Sequence, residues 1–241
     1  MSPPDEGVSD FGISRLGPPA GRGAGGRRQA NQAAPADPRF AAAAALRRIT
    51  SAVVGLPIDD GALVEATAAL EALADRLEAG AGPGRRSRQE PDPTADAQDF
   101  FPTSPVIGYA NPVAPPVRVE LGEHGLLGTA FFDYQYEGPP TCVHGGVLAM
   151  VFDELLGATN IAAGSPGMTG TLTVRYRRPT PLRTPLRLES RCLGREGRKI
   201  RTWGAIFDEE TLLAEAEGIF IELVPERFLQ VIASHGRDGA E

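Results

Sequence analysis

From His144 to Ala163 the chain distributes Val147, Leu148, Met150, Val151, Phe152, Leu155, Leu156 and Ile161 around nearly the whole circumference of a helix. A helix apolar on every side has to be enclosed rather than laid on a surface. Gly138-Pro139-Pro140 separates it from what precedes, and Gly164, Pro166 and Gly167 end it. Asp153 sits in its middle. A carboxylate enclosed by apolar side chains is costly without a partner, and desolvation would raise its pKa toward that of a base working near neutrality. The expectation is a wrapped helix holding one acid with a chemical purpose. Glu154, about 100° further round the helix, is expected at the surface or at an interface.

The flanking residues alternate instead. Val117–Leu121 and Leu126–Tyr136 read as two strands around a turn, with Gly128, Ala130, Phe132, Tyr134 and Tyr136 on one face of the second. Gly170–Arg178, Leu186–Leu193, Lys199–Asp208 and Leu212–Val224 read as further strands. On the last of these Leu212, Ala214, Ala216, Gly218 and Phe220 share a face, and small residues there let the backbone approach a helix closely. Short connections between successive strands predict antiparallel pairing. The expected class is α+β: a long central helix wrapped by a curved antiparallel sheet of five or six strands, preceded by a helical extension.

That extension follows from the first part of the 241 residues. Residues 1–37, rich in Gly, Pro, Ala and Arg, read as disordered. Residues 38–79 read as two helices broken at Gly55 and Pro57, the second capped by Asp59 or Asp60 and closed by Gly80. Leu63, Ala66, Leu70, Leu73 and Leu77 form a narrow stripe on that helix, suited either to packing on the chain's own domain or to a dimerising or partner helix. Residues 80–99 read as a polar linker, 100–225 as the main domain and 226–241 as a tail. The net charge of −7 argues against a nucleic-acid binder. No run of 18 apolar residues occurs, so no membrane span is expected. Two cysteines, Cys142 and Cys192, and an acidic start without an apolar core lead to an expected cytoplasmic location. The three histidines are not spaced as metal ligands, so no metal is expected.

Residues 136–169 read YEGPPTCVHGGVLAMVFDELLGATNIAAGSPGMT, followed by RYRRPTPL at 175–182, REGRK at 195–199 and LLAEAEGIFIEL at 212–223. This ordered series resembles the PaaI-like branch of the hotdog-fold thioesterase superfamily, in particular the acyl-CoA thioesterases whose helix opens with GPP…HGG. The resemblance covers about residues 100–224 and leaves the first 99 outside it. It implies a hotdog fold and hydrolysis of acyl-CoA thioesters to free acid and coenzyme A in fatty acid metabolism. It implies no cofactor, coenzyme A being part of the substrate, and a homodimer, possibly a dimer of dimers.

A thioester hydrolase must deliver water to a carbonyl and stabilise the oxyanion that results. The start of an enclosed helix offers free N–H groups and a positive dipole end, and His144-Gly145-Gly146 stands there. The resemblance implies that the Gly145 amide is the oxyanion donor, that His144 shapes the loop or assists polarisation, and that Gly146 lies against the substrate. It implies that Asp153 is general base or nucleophile and that Thr169 hydrogen-bonds the carboxylate or the attacking water. Some relatives carry an asparagine shortly before the HGG; Gly138 falls there in this chain. Gly145 and Asp153 are eight residues apart, roughly 12 Å along a helix. One carbonyl cannot easily touch both, so two antiparallel helices from two subunits are expected to complete each site.

Ten cations lie between Arg175 and Arg201, with only Glu189 and Glu196 among them. A basic stretch in an acidic protein suggests an anionic ligand, and the resemblance implies that Arg175, Arg177, Arg198 and Lys199 contact coenzyme A. The competing readings are an acyl-CoA-binding or scaffolding hotdog protein without turnover, and a hotdog dehydratase, whose usual catalytic histidine paired with a carboxylate from elsewhere fits His144 and Asp153 poorly.

Overall fold

The computed structural model describes residues 38–82 and 102–223. The expected disordered segment 1–37, most of the linker 80–99 and the tail 226–241 lie outside the described residues. Two helices come first, α1 (Pro38–Gly55) and α2 (Asp60–Ala79), then strands β1 (Val117–Leu121) and β2 (Leu126–Ala130). A short 3-10 turn (Tyr134–Tyr136) leads to α3 (Gly145–Ala162). Four long strands follow: β3 (Gly167–Tyr176), β4 (Leu186–Glu196), β5 (Lys199–Asp208) and β6 (Thr211–Glu222). They form one antiparallel sheet in the order β1-β2-β4-β5-β6-β3. The sheet packs its inner face on α3, chiefly through β3 to β6, in the hotdog arrangement. α3 has the length and hydropathy of a membrane span, and it is the helix that the sheet holds.

The core lies between that face and the helix. Val151, Phe152, Leu155 and Leu156 of α3 meet Leu188, Ile200, Ile206, Ala216 and Phe220 of the sheet. Burying each large side chain contributes about 1.5–3 kcal/mol. The small residues on β5 and β6 allow the approach: a Cβ at Gly204 would lie 2.9 Å from Leu156 Cδ2, and one at Gly218 would lie 3.2 Å from Leu156 Cδ1. Residues 102–116 close another side of the helix. Ser104 Oγ donates to Glu154 Oε1 at 2.9 Å and accepts the Val106 N–H at 3.1 Å, while Val106 and Ile107 enter the core. Glu154 therefore anchors this coil rather than standing at the surface.

Three expectations need correction. The second strand ends at Ala130 rather than Tyr136. Asp133 accepts the Tyr134 N–H at 2.9 Å and caps the 3-10 turn, so an aspartate side chain competes with the ladder and ends the strand. The central helix is not enclosed on all sides within one chain, because Gly146 and Asp153 are exposed. Nor is the basic stretch opposed only by Glu189 and Glu196. Cross-strand pairing brings β6 carboxylates to it: Arg177 to Glu215 at 2.7 Å, Arg201 to Glu217 at 2.6 Å, and Arg195 to Glu222.

Glu215 is fully buried and accepts from both Arg177 and Trp203 Nε1. Removing Arg177 would take a charge-assisted partner from a buried carboxylate. Arg177→Ala is expected to destabilise the fold by about 3 kcal/mol, the lower end of the range for buried pairs because the arginine is partly exposed. Denaturant titration measures this, and Arg177→Ala with Glu215→Gln should recover part of it.

The extension does not behave as one unit. α1 packs on the 3-10 turn and buries Ala43 and Ser51. α2, capped by Asp59 accepting the Ala62 N–H at 3.0 Å, has no fully buried residue: Leu63 and Leu70 of its stripe are half-buried and Ala66, Leu73 and Leu77 exposed. Beside α1, Tyr136 donates its hydroxyl to Val113 O at 3.2 Å. Burial pushes this phenol above its usual pKa, with the nearby Gln135 and Arg47 acting in the opposite direction. A phenol held neutral in the fold ionises more readily in the unfolded chain. Its stabilising share is present below about pH 10 and is lost as pH rises toward the higher folded value. Tyr136→Phe is expected to flatten the alkaline fall of Tm above about pH 10, which a melting series at graded pH would read.

Candidate active site

His144 is the N-cap of α3, with φ −62° and ψ 131°. Its backbone N–H donates to Tyr136 O at 2.9 Å, and its ring Nδ1 accepts the Gly146 N–H at 3.0 Å. A ring nitrogen that accepts a hydrogen bond carries no proton, so the neutral ring holds its proton on Nε2. The same bond removes the Gly146 amide from use. The Gly145 N–H has no acceptor among the described residues and stands open at the positive end of the helix.

Several contacts fix this corner. Tyr176, at the end of β3, donates its hydroxyl to Gly145 O at 2.8 Å, and its ring would lie 3.4 Å from a Cβ at Gly145. A Cβ at Gly138 would fall 2.7 Å from His144 Cα, so the position where some relatives carry asparagine has room here only for glycine. Thr141 adopts φ 66°, held by its N–H donating to Glu137 Oε1 at 2.6 Å and its carbonyl accepting the Leu182 N–H at 3.0 Å. Strain of this kind persists where surrounding contacts over-determine it.

Two turns further along α3, Thr169 Oγ1 donates to Asp153 Oδ1 at 2.6 Å. The acid that the sequence places in an apolar helix is thus exposed in a single chain, on the stripe that also carries Gly146, Ala149 and Gly157. The expectation of a carboxylate desolvated by its own subunit does not hold. The stripe is uncovered because β3, which lies beside it, is the last strand of the sheet. α3 runs unbroken from Gly145 to Ala162, so the rise of about 1.5 Å per residue keeps the Gly145 amide and Asp153 roughly 12 Å apart.

Of the four cations expected at coenzyme A, Arg177 is committed to Glu215. Arg198 donates to Glu222 O at 3.1 Å and is exposed, Lys199 is exposed beside it, and Arg175 is half-buried opposite Glu215 in the β3–β6 ladder. Sequence reasoning missed Tyr176 and Glu137 as parts of the corner. Tyr176 alternates like any strand residue, and only the register of β3 beneath the start of α3 reveals its contact. The cysteines take no part: Cys142 bridges to Pro181 in the backbone, and the Cys192 thiol points at Arg201 O, 3.7 Å away.

No family model matches the chain. A thioesterase superfamily protein of known crystal structure is 33% identical, with a TM-score of 0.69, and the match covers 78% of this chain and 92% of that one. The acyl-coenzyme A thioesterase THEM4 of Mus musculus is 38% identical over 93 residues, covering 38% of this chain and 40% of that protein. THEM4 of Xenopus laevis is 38% identical over 91 residues, covering 37% and 41%. The chain thus spans about two fifths of the length of the curated relatives it matches. A crystal structure matched over nearly its whole length at this identity, with the helix-in-sheet architecture in common, makes this chain a member of the thioesterase superfamily.

Proposed function

We propose that the protein hydrolyses acyl-CoA thioesters to a free acid and coenzyme A. The observation that carries this reading is the pairing on one helix of an open Gly145 amide at the N-terminus with the Thr169–Asp153 hydrogen bond two turns on. The thioester carbonyl oxygen accepts from the Gly145 N–H, and negative charge developing there meets the helix dipole. His144 Nδ1 holds the neighbouring Gly146 amide and so fixes the helix start beside it. Thr169 occupies Asp153 Oδ1, which leaves Oδ2 to take the proton of an attacking water, or to attack the carbonyl itself. With water as nucleophile, the tetrahedral intermediate collapses, the C–S bond breaks, the free acid forms and the coenzyme A thiolate takes the proton held by Asp153. With Asp153 as nucleophile, collapse expels the thiolate and leaves an acyl–Asp153 anhydride that water then cleaves to the free acid.

Each site combines Gly145 of one subunit with Asp153 of another in a homodimer, with dimers of dimers as a further possible assembly. Supporting this are the separation of the two groups along α3, the uncovered stripe of small residues, and the ten-residue β3 at the sheet edge with Met168 and Tyr176 exposed. A long free edge is a ready surface for pairing. Arg175, Arg198 and Lys199 are assigned to the coenzyme A portion of the substrate, and Arg177 to the fold.

The test is thiol release across acyl-CoAs of two to eighteen carbons and aromatic acyl-CoAs, alongside light scattering of the free protein. Turnover by a dimer or tetramer is the expected result. Tight acyl-CoA binding with no turnover across the series would leave the alternative, a binding or scaffolding protein.

A further inference from the structure

One groove lies outside the chemistry described so far. It sits between α1 and the 3-10 turn, has a volume of about 590 Å³, and is lined by Arg48, Ile49, Leu56, Asp133, Tyr134 and Arg183 among others. Tyr134 is backed by α1: a Cβ at Gly55 would fall 2.2 Å from its ring, so only glycine lets the helix end lie there. On the other side the Arg183 guanidinium lies over the ring, 4.9 Å from its centroid, and Nη1 donates to Tyr134 Oη at 2.6 Å. Asp133 stands 3.5 Å from Arg183 Nε, and its carboxylate also accepts the Tyr134 N–H. Arg183 adopts φ 56°, a conformation that costs energy for any residue but glycine, and is held there by its N–H donating to Phe132 O at 2.7 Å. Among the described residues, Arg183 Nη2 has no partner and neither has Arg48.

A braced, flat guanidinium beside a second cation, over an apolar floor of Ile49 and Leu56, suits a planar phosphorylated ligand. The volume lies in the range of small-molecule sites. Its wall residues Tyr134 and Arg183 lie two and three positions in sequence from Tyr136 and Thr180, whose carbonyls hold the loop that ends in His144, through His144 N–H to Tyr136 O at 2.9 Å and Val143 N–H to Thr180 O at 2.8 Å. We propose that this groove receives the 3′-phosphorylated adenosine end of the acyl-CoA, so that the helical extension supplies a substrate subsite. The inference rests on the thioesterase reading.

The experiment compares an acyl-CoA with the same acyl-3′-dephospho-CoA on the wild type, Arg48→Ala, Arg183→Gly and Lys199→Ala. Glycine at 183 keeps the left-handed backbone and removes the whole side chain, guanidinium included. Arg48→Ala and Arg183→Gly are expected to raise KM for the acyl-CoA about tenfold, the worth of one charge-assisted contact. They should leave KM for the dephospho substrate within about twofold, with kcat held. Lys199→Ala should affect both substrates alike. Equal shifts on both substrates for Arg48→Ala and Arg183→Gly, or no shift, overturn the groove assignment. If the wild type turns over neither substrate, the thioesterase reading fails. The groove is then judged by calorimetry of coenzyme A against 3′-dephospho-CoA: a preference lost in both arginine variants upholds it, and no preference overturns it.

Discussion

Asp153→Asn is expected to lower kcat for acyl-CoA hydrolysis by about 10³-fold, within the range supplied by a positioned general base or nucleophile. The substitution is nearly isosteric. An amide oxygen can still accept the Thr169 hydroxyl, now held by Asp153 Oδ1 at 2.6 Å. The position is exposed in the single chain, so the fold should lose little. The measurement is single-turnover thiol release with the melting temperature followed in parallel. Wild-type turnover in a folded variant would remove Asp153 from the chemistry.

The second large effect is expected at Gly145→Pro, which replaces the open amide hydrogen with a ring carbon and brings its Cβ into ordinary contact, 3.4 Å, with Tyr176. Proline suits the first position of a helix, where the N–H has no partner in the helix. His144, at ψ 131°, already has the extended backbone that a residue before proline requires. The Gly145 carbonyl remains available to Tyr176. Loss of one oxyanion donor should lower kcat by about 10²–10³-fold. The two variants together test where the site lies. If Gly145 of one subunit serves Asp153 of the other, mixing Gly145→Pro with Asp153→Asn protein under subunit exchange restores about a quarter of wild-type activity. Half of the pairs are then mixed, and one of their two sites is whole. No recovery in demonstrably mixed dimers would place both groups in one chain's site and exclude the shared arrangement.

Much of the site was legible before the fold was known, because its parts are local. The HGG turn, the apolar helix and Asp153 occupy one continuous stretch, and an acid among apolar residues next to a helix start marks them out. A cap of α2 at Asp59 or Asp60, the break at Gly55 and the small residues of β6 were equally readable, since each acts through its own backbone or through strand alternation. The misread element was 131–136, where alternation continued through Tyr136 but the Asp133 side chain took the Tyr134 N–H and turned the chain. Alternation records which faces are apolar, and it says nothing about a side chain that competes for the backbone.

The sequence by itself determined the class of fold and a long apolar helix with one acid in it, because periodicity and residue chemistry act over a few neighbours; the threonine that meets the acid came from the family resemblance. Only the tertiary structure decided which charges are spent and which are open. The basic run looked like an anion site until the β6 register set Glu215, Glu217 and Glu222 beside Arg177, Arg201 and Arg195. Likewise, Arg183 became notable only when α1 and the 3-10 turn clamped Tyr134 beneath it. The physical reason is that a charge is neutralised by whatever lies within a few ångströms in space, and strand pairing brings together residues that are dozens of positions apart in the chain.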